Sequence, residues 1–70
     1  MGFRRVAAHR VVIRGEELKQ CVVEIMDGKV VNYFTFKDEL PLTEWLGGRI
    51  DVITDEDGRQ VAFWNETMLE

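Results

Sequence analysis

The chain is predicted to be all-β: one small five-stranded antiparallel roll or barrel, with a single helical turn between its third and fourth strands. Three observations predict it. Five runs rich in β-branched and aromatic residues follow one another along the 70 residues. Glycine- or aspartate-bearing turn signals separate most of them. No stretch repeats apolar residues at the helical spacing long enough to make an amphipathic helix.

The first run is residues 3–13, FRRVAAHRVVI. RGEE at 14–17 turns the chain, with Gly15 free to take positive φ. LKQCVVEIM (18–26) and KVVNYFTF (29–36) flank Asp27-Gly28, the strongest short hairpin signal in the chain, because both central residues of a type I′ turn need positive φ. The bridge, residues 37–48, breaks the β pattern. Pro41 lacks an N–H and disfavours helix at Leu40. Thr43 is placed to cap one turn through Leu46, which Gly47-Gly48 would stop. RIDVIT (49–54), the DEDG turn and RQVAFWN (59–65) complete a final hairpin. Residues 1–68 make one domain, and the closing Leu69-Glu70 has the composition of a cloning scar.

Alternation predicts how these strands face. Cys21, Val23 and Ile25 share one side of the second strand, with Gln20 and Glu24 opposite. Ile50 and Val52 share a side of the fourth. Tyr33-Phe34 and Phe63-Trp64 are neighbours, and neighbours on a strand point to opposite faces. Both faces of those two strands therefore carry aromatic area, which a small sheet cannot fully cover. Val61 aligns with Phe63, so these two are assigned inward and Trp64 outward. Tyr33, Phe34, Trp45 and Trp64 are the candidate interaction surface.

Charge narrows the function classes. Arg4, Arg5, Arg10 and Arg14 lie in residues 1–15 with no acid, while the remainder holds thirteen acids against five bases, for a net charge of −4. A nucleic-acid binder shows a dominant basic face. Here a single basic strand is better read as pairing with acids on its neighbours. No apolar stretch reaches the roughly 18 residues of a membrane span. His9, Arg10 and Arg14 interrupt the only segment resembling a signal peptide, so a cytoplasmic location and no membrane partner are expected.

The catalytic inventory is thin. His9 and Cys21 are the only imidazole and thiol, and Cys21 aligns with the apolar side of its strand, where a thiol is core rather than nucleophile. One His and one Cys cannot anchor a zinc site. The DEDG carboxylates sit on a hairpin tip, without the spacing or flanking helices of a calcium hand. Trp45 near Gly47-Gly48 reads as a lid over one end of the barrel. No cofactor, metal or enzymatic activity is expected.

RRVAAHRVVIRGEELKQCVVEIMDGKVVNYFTF, residues 4–36, resembles the opening of amidohydrolases and related metal-dependent hydrolases. Those begin with a strand, a turn and a strand ending in an EDGKI-like hairpin; Gly15, Gly28 and Val30 carry the likeness here. LGGRIDVIT, residues 46–54, is similar to the segment leading into the catalytic barrel. The resemblance implies the small β domain that packs beside that barrel. The His-x-His metal pair that opens the barrel has no counterpart, so no catalytic or metal residue carries over. The expected function is a non-enzymatic β domain acting through contact with a protein partner or a second copy of itself. The alternatives are a peptide or small-ligand site lined by Tyr33, Trp45 and Trp64, and a nucleic-acid module using the basic strand.

Overall fold

A computed structural model describes residues 2–38 and 42–70. The fold is all-β, with seven strands among the described residues: β1 (Phe3–Ile13), β2 (Glu16–Met26), β3 (Lys29–Thr35), β4 (Glu44–Trp45), β5 (Arg49–Thr54), β6 (Gln60–Trp64) and β7 (Thr67–Met68). They form one sheet in the order β3-β2-β1-β5-β6-β7, and β4 pairs with β1 beside β5. The sheet is mixed rather than wholly antiparallel: β4 and β5 both run parallel to β1. It is an open sheet, not a closed barrel. It curls until β3 and β6, which share no ladder, come close to each other.

Type I′ turns build the first meander. Arg14 and Gly15 take φ of 54° and 80°, and Asp27 and Gly28 take 51° and 78°. The Arg14-Gly15 turn is tighter than RGEE suggests, since Glu16 and Glu17 already belong to β2. The expected helical turn at 43–46 is absent. Glu44 and Trp45 are extended and pair with Val6 and Ala7, and Leu46 donates its N–H to the Ala7 carbonyl at 2.8 Å. The reason lies in β1, whose pairing with β5 begins only at Arg10. The edge at Val6–Ala7 would otherwise keep unpaired backbone groups, and pairing them outweighs a one-turn helix, whose nucleation is unfavourable. Leu40 and Pro41, read as the break before that turn, lie outside the described residues. A further hairpin was not anticipated. Asn65 and Glu66, at φ of 51° and 65°, turn β6 into β7.

The core is apolar and has no buried polar side chain among the described residues. Val6 and Ala8 share it with Val11 and Ile13, although the two pairs have opposite parity along β1. Leu18 and Cys21 show the same switch on β2. The register does not slip, since Ala8 pairs with Cys21 and Arg10 with Lys19. Both strands therefore kink together, with Gln20 at φ of 52°, and this coupled kink lets one long hairpin wrap the core. Leu69, set apart by sequence as part of a scar, packs into the same core and donates its N–H to the Ala62 carbonyl.

The expected facing of the last long strand is reversed. Ala62 belongs to the core cluster and Trp64 packs against it, while Phe63 is turned to the other side. Val61 is buried, but outside that cluster. Pairing explains the reversal: Ile50 and Val52 face inward, and their cross-strand partners are Trp64 and Ala62. Paired residues share a face. The indole Nε1–H donates to the Gly47 carbonyl at 2.6 Å, so Trp64 ties the glycine loop onto the core.

Candidate interaction face

The side of β1–β2–β3 turned away from the core is organised in rows, because strand partners share a face. In the central row, Trp45 on β4 pairs with Ala7 on β1, Ala7 with Val22 on β2, and Val22 with Phe34 on β3. This row crosses four strands without a charge. Ala7 and Val22 are 1% and 0% exposed. Aromatic side chains gather beside them. The Trp45 ring meets His9 edge-on at a centroid distance of 5.0 Å, and meets Phe36 edge-on at 5.8 Å. Phe36 reaches from beyond the end of β3, where its N–H bonds the Gln20 carbonyl at 2.9 Å. Trp45 nevertheless remains 51% exposed, and Phe34 38%.

The next row is polar. Arg5 Nε donates to Glu24 Oε2 at 2.9 Å, and Asn32 Nδ2 donates to Glu24 Oε1 at 3.3 Å. Beyond it Phe3 and Met26, a cross-strand pair, are 50% and 45% exposed. The Arg5 guanidinium lies over the Phe3 ring, 5.7 Å from its centroid. The face is thus two apolar patches divided by one neutralised ionic row.

The four aromatic residues singled out by sequence do not converge. Phe34 and Trp45 share the central row. Tyr33 pairs with Val23 on the core side of β3 and lies at the sheet's rim. Trp64 belongs to the core side, so it leaves the candidate surface. Tyr33, Trp45 and Trp64 therefore do not line a common peptide groove. Phe3, Met26, His9 and Phe36 were missed as part of this face. The Asp27-Gly28 turn alone would set Val22 opposite Tyr33; the bulge at Val31 shifts the register by one and brings Phe34 into the row, so no local sequence signal marked it.

The basic strand is largely neutralised. Arg4 grips Glu44 with two hydrogen bonds, Nε to Oε2 at 3.0 Å and Nη2 to Oε1 at 2.7 Å, and also donates to the Glu70 carbonyl. The Arg4 guanidinium holds the Glu44 carboxyl below its ordinary range, and Glu44 in turn raises Arg4. Arg5 pairs with Glu24 as above, and Arg10 lies 3.6 Å from Glu17. Arg14, at the hairpin tip, has no ion pair among the described residues. These arginines point to different faces and form no basic stripe.

His9 and Cys21 are separated by the sheet. His9 is exposed against Trp45, whereas Cys21 is buried in the core. Burial pushes the thiol pKa up, opposing the thiolate that nucleophilic chemistry requires. Among the described residues, no three His, Cys, Asp or Glu side chains gather to hold a metal ion. In the DEDG turn, Asp55 Oδ1 accepts the N–H groups of Asp57 and Arg59, both at 2.9 Å. That carboxylate organises the hairpin. An open cleft of about 470 Å³ lies between Gly2, Arg4, Asp27, Gly28, Met68 and Glu70, but its cation is already held by Glu44. No helix among the described residues is long and apolar enough to cross a membrane.

Comparison with protein-family models, curated proteins and solved structures found no match.

Proposed function

We propose that this chain is a non-enzymatic β domain that works by contact with another protein, through the face carrying Trp45, Phe34, Phe3 and Met26. One observation carries the reading: an uncharged row across four strands, whose two aromatic ends, Trp45 and Phe34, stay 51% and 38% exposed. Exposed apolar patches of this kind mark contact sites, and aromatic anchors carry most of the energy of an interface. The five ion pairs, which engage ten charged side chains, and the separation of His9 from Cys21 by the sheet agree with it among the described residues. The resemblance of residues 4–36 to the accessory β domain of amidohydrolases supports a protein as the partner. A cytoplasmic location goes with this reading.

The experiment compares what the wild-type chain and Trp45→Ala retain from extracts of the host cell. Trp45 is half exposed, so its truncation leaves the melting temperature within a few degrees of wild type. A discrete protein, another copy or a different chain, retained by the wild type and lost with Trp45→Ala is the expected result. Identical retention by both, with Arg14→Ala as control, removes the face from function.

A further inference from the structure

Among the described residues the sheet path has one long free edge. At its far end β7 has two residues, between Glu66 and Glu70, whereas β3 has seven and pairs only on its β2 side. Proteins normally blunt such edges with charges, proline or bulges. β3 has a bulge at Val31, where the register against Glu24 and Ile25 shifts. Beyond it, Asn32–Phe36 reads NYFTF, with no charge and no proline, and Lys29 and Lys37 stand outside it.

We infer that this edge takes a second copy of the same chain, antiparallel about a two-fold axis through Phe34. The inference rests on the contact-module reading and names its partner. Hydrogen bonding sets the geometry. Phe36 N–H bonds Gln20, and bonded residues alternate along an antiparallel pair, so Phe34 and Asn32 also bond toward β2. Tyr33 and Thr35 therefore point their N–H and C=O groups outward. Pairing about Phe34 sets Tyr33 of each copy against Thr35 of the other, and the two pairs exchange four backbone hydrogen bonds. Asn32 meets Phe36, so the whole segment between the bulge and the strand end is used.

Charge selects this register over its neighbour. Centring on Tyr33 would set Lys29 opposite Lys37 of the other copy, whereas centring on Phe34 sets Lys37 opposite Val31 and Asp38 opposite Val30. Phe34 then meets its own symmetry mate on the outer face, and the central rows of the two copies join. With one long free edge per chain, the assembly closes as a dimer rather than growing. Five residues a side fall short of the roughly 800 Å² per partner of a standard interface. The dimer therefore exchanges with monomer at micromolar to millimolar concentration.

Sedimentation of the full chain over that range, with cysteine cross-linking, tests this. Wild type is expected to pass from monomer to dimer. Tyr33→Pro removes an outward N–H, which an edge strand tolerates, and it stays monomeric with its melting transition retained. Should Tyr33→Pro fail to fold, Phe34→Lys sets two ammonium groups face to face and gives the same readout. Phe34→Cys joins copies by a disulfide under mild oxidation, while Thr35→Cys, whose symmetry mate lies two positions away, does not; buried Cys21 does not compete. A Tyr33→Pro or Phe34→Lys variant that still dimerises, or cross-linking stronger at Thr35, overturns the proposal. So does a wild type that stays monomeric or grows into open-ended aggregates. If wild type stays monomeric while Trp45→Ala still loses a retained protein, this pairing fails and the broader reading stands.

Discussion

Asp55 shows how much one side chain can organise in a chain this small. Its Oδ1 caps the N–H groups of Asp57 and Arg59, its carbonyl accepts from Gly58 at 3.0 Å, and its own N–H reaches the Arg59 carbonyl at 2.7 Å. Gly58, at φ of 82°, closes the loop in the left-handed region, as expected for a three-residue hairpin connection. Hydrogen bonding from the Arg59 N–H is the chief reason the carboxyl lies below its ordinary value of 3.8; the Asp57 N–H and Lys29, 3.8 Å away, add to it. A carboxyl depressed in the folded state contributes stability above its unfolded pKa and loses it as pH falls through the folded one. Asp55→Asn keeps an acceptor but removes the charge. Its melting temperature should therefore lie below wild type at pH 7, with the gap narrowing as pH drops below about 4. Thermal melts between pH 2 and 7 check this. A gap of constant size would mean that shape, not ionisation, is what Asp55 contributes.

At the scale of elements, Trp64 distinguishes a core anchor from a surface one. Its ring packs on the core cluster, and its Nε1–H holds the Gly47 carbonyl. Trp64→Ala should cost about 2 kcal/mol or more, less than the 3–5 of a fully buried aromatic, and it should free the loop before β5. Phe63→Ala, on the other side of β6, should cost less. Urea melts rank the two, and the opposite order would refute the facing described here. Alternation along 59–65 alone could not decide this, because the run is apolar on both faces; only the pairing of Ile50 and Val52 does. Where one face is plainly polar, reading the sequence succeeds: Cys21, Val23 and Ile25 are buried and Gln20 and Glu24 are not. β1 and β5 keep their expected bounds of 3–13 and 49–54. β4 and β7 escaped notice because two residues carry no periodicity, and Asn65-Glu66 lacks the glycine that marks a type I′ turn. The coupled kink at His9–Arg10 and Lys19–Gln20 escaped too. Nothing local announces that a glutamine will take positive φ to keep two strands wrapped on one core. Of the candidate face, Phe34 and Trp45 were legible as exposed aromatics, but their common row needed the register.

For the whole molecule, β1 is the organising strand. β2 pairs along nearly its full length, and on its other side β4 covers Val6–Ala7 and β5 covers Arg10–Ile13. The parallel β1–β5 ladder joins residues almost forty positions apart in sequence. Such non-local pairing costs loop-closure entropy before it stabilises anything. Removing β1 would leave two hairpins without a shared core, so opening β1 amounts to unfolding the chain. Backbone hydrogen exchange should reflect this gradient. The slowest amides should be those of Val6, Ala8, Val11 and Ile13, with exchange close to the global unfolding limit, since core amides exchange only through global opening. β7, two residues held to a single neighbour, should exchange orders of magnitude faster. In dilute monomer the outward Tyr33 and Thr35 amides should be fast as well, beside a slow Phe34 that is bonded to β2. Exchange measured residue by residue checks both contrasts. If β5 and β6 outlast β1, the hairpin rather than the crossover strand holds the fold together. If Phe34 is as fast as its neighbours, the edge ladder lacks the polarity assigned to it.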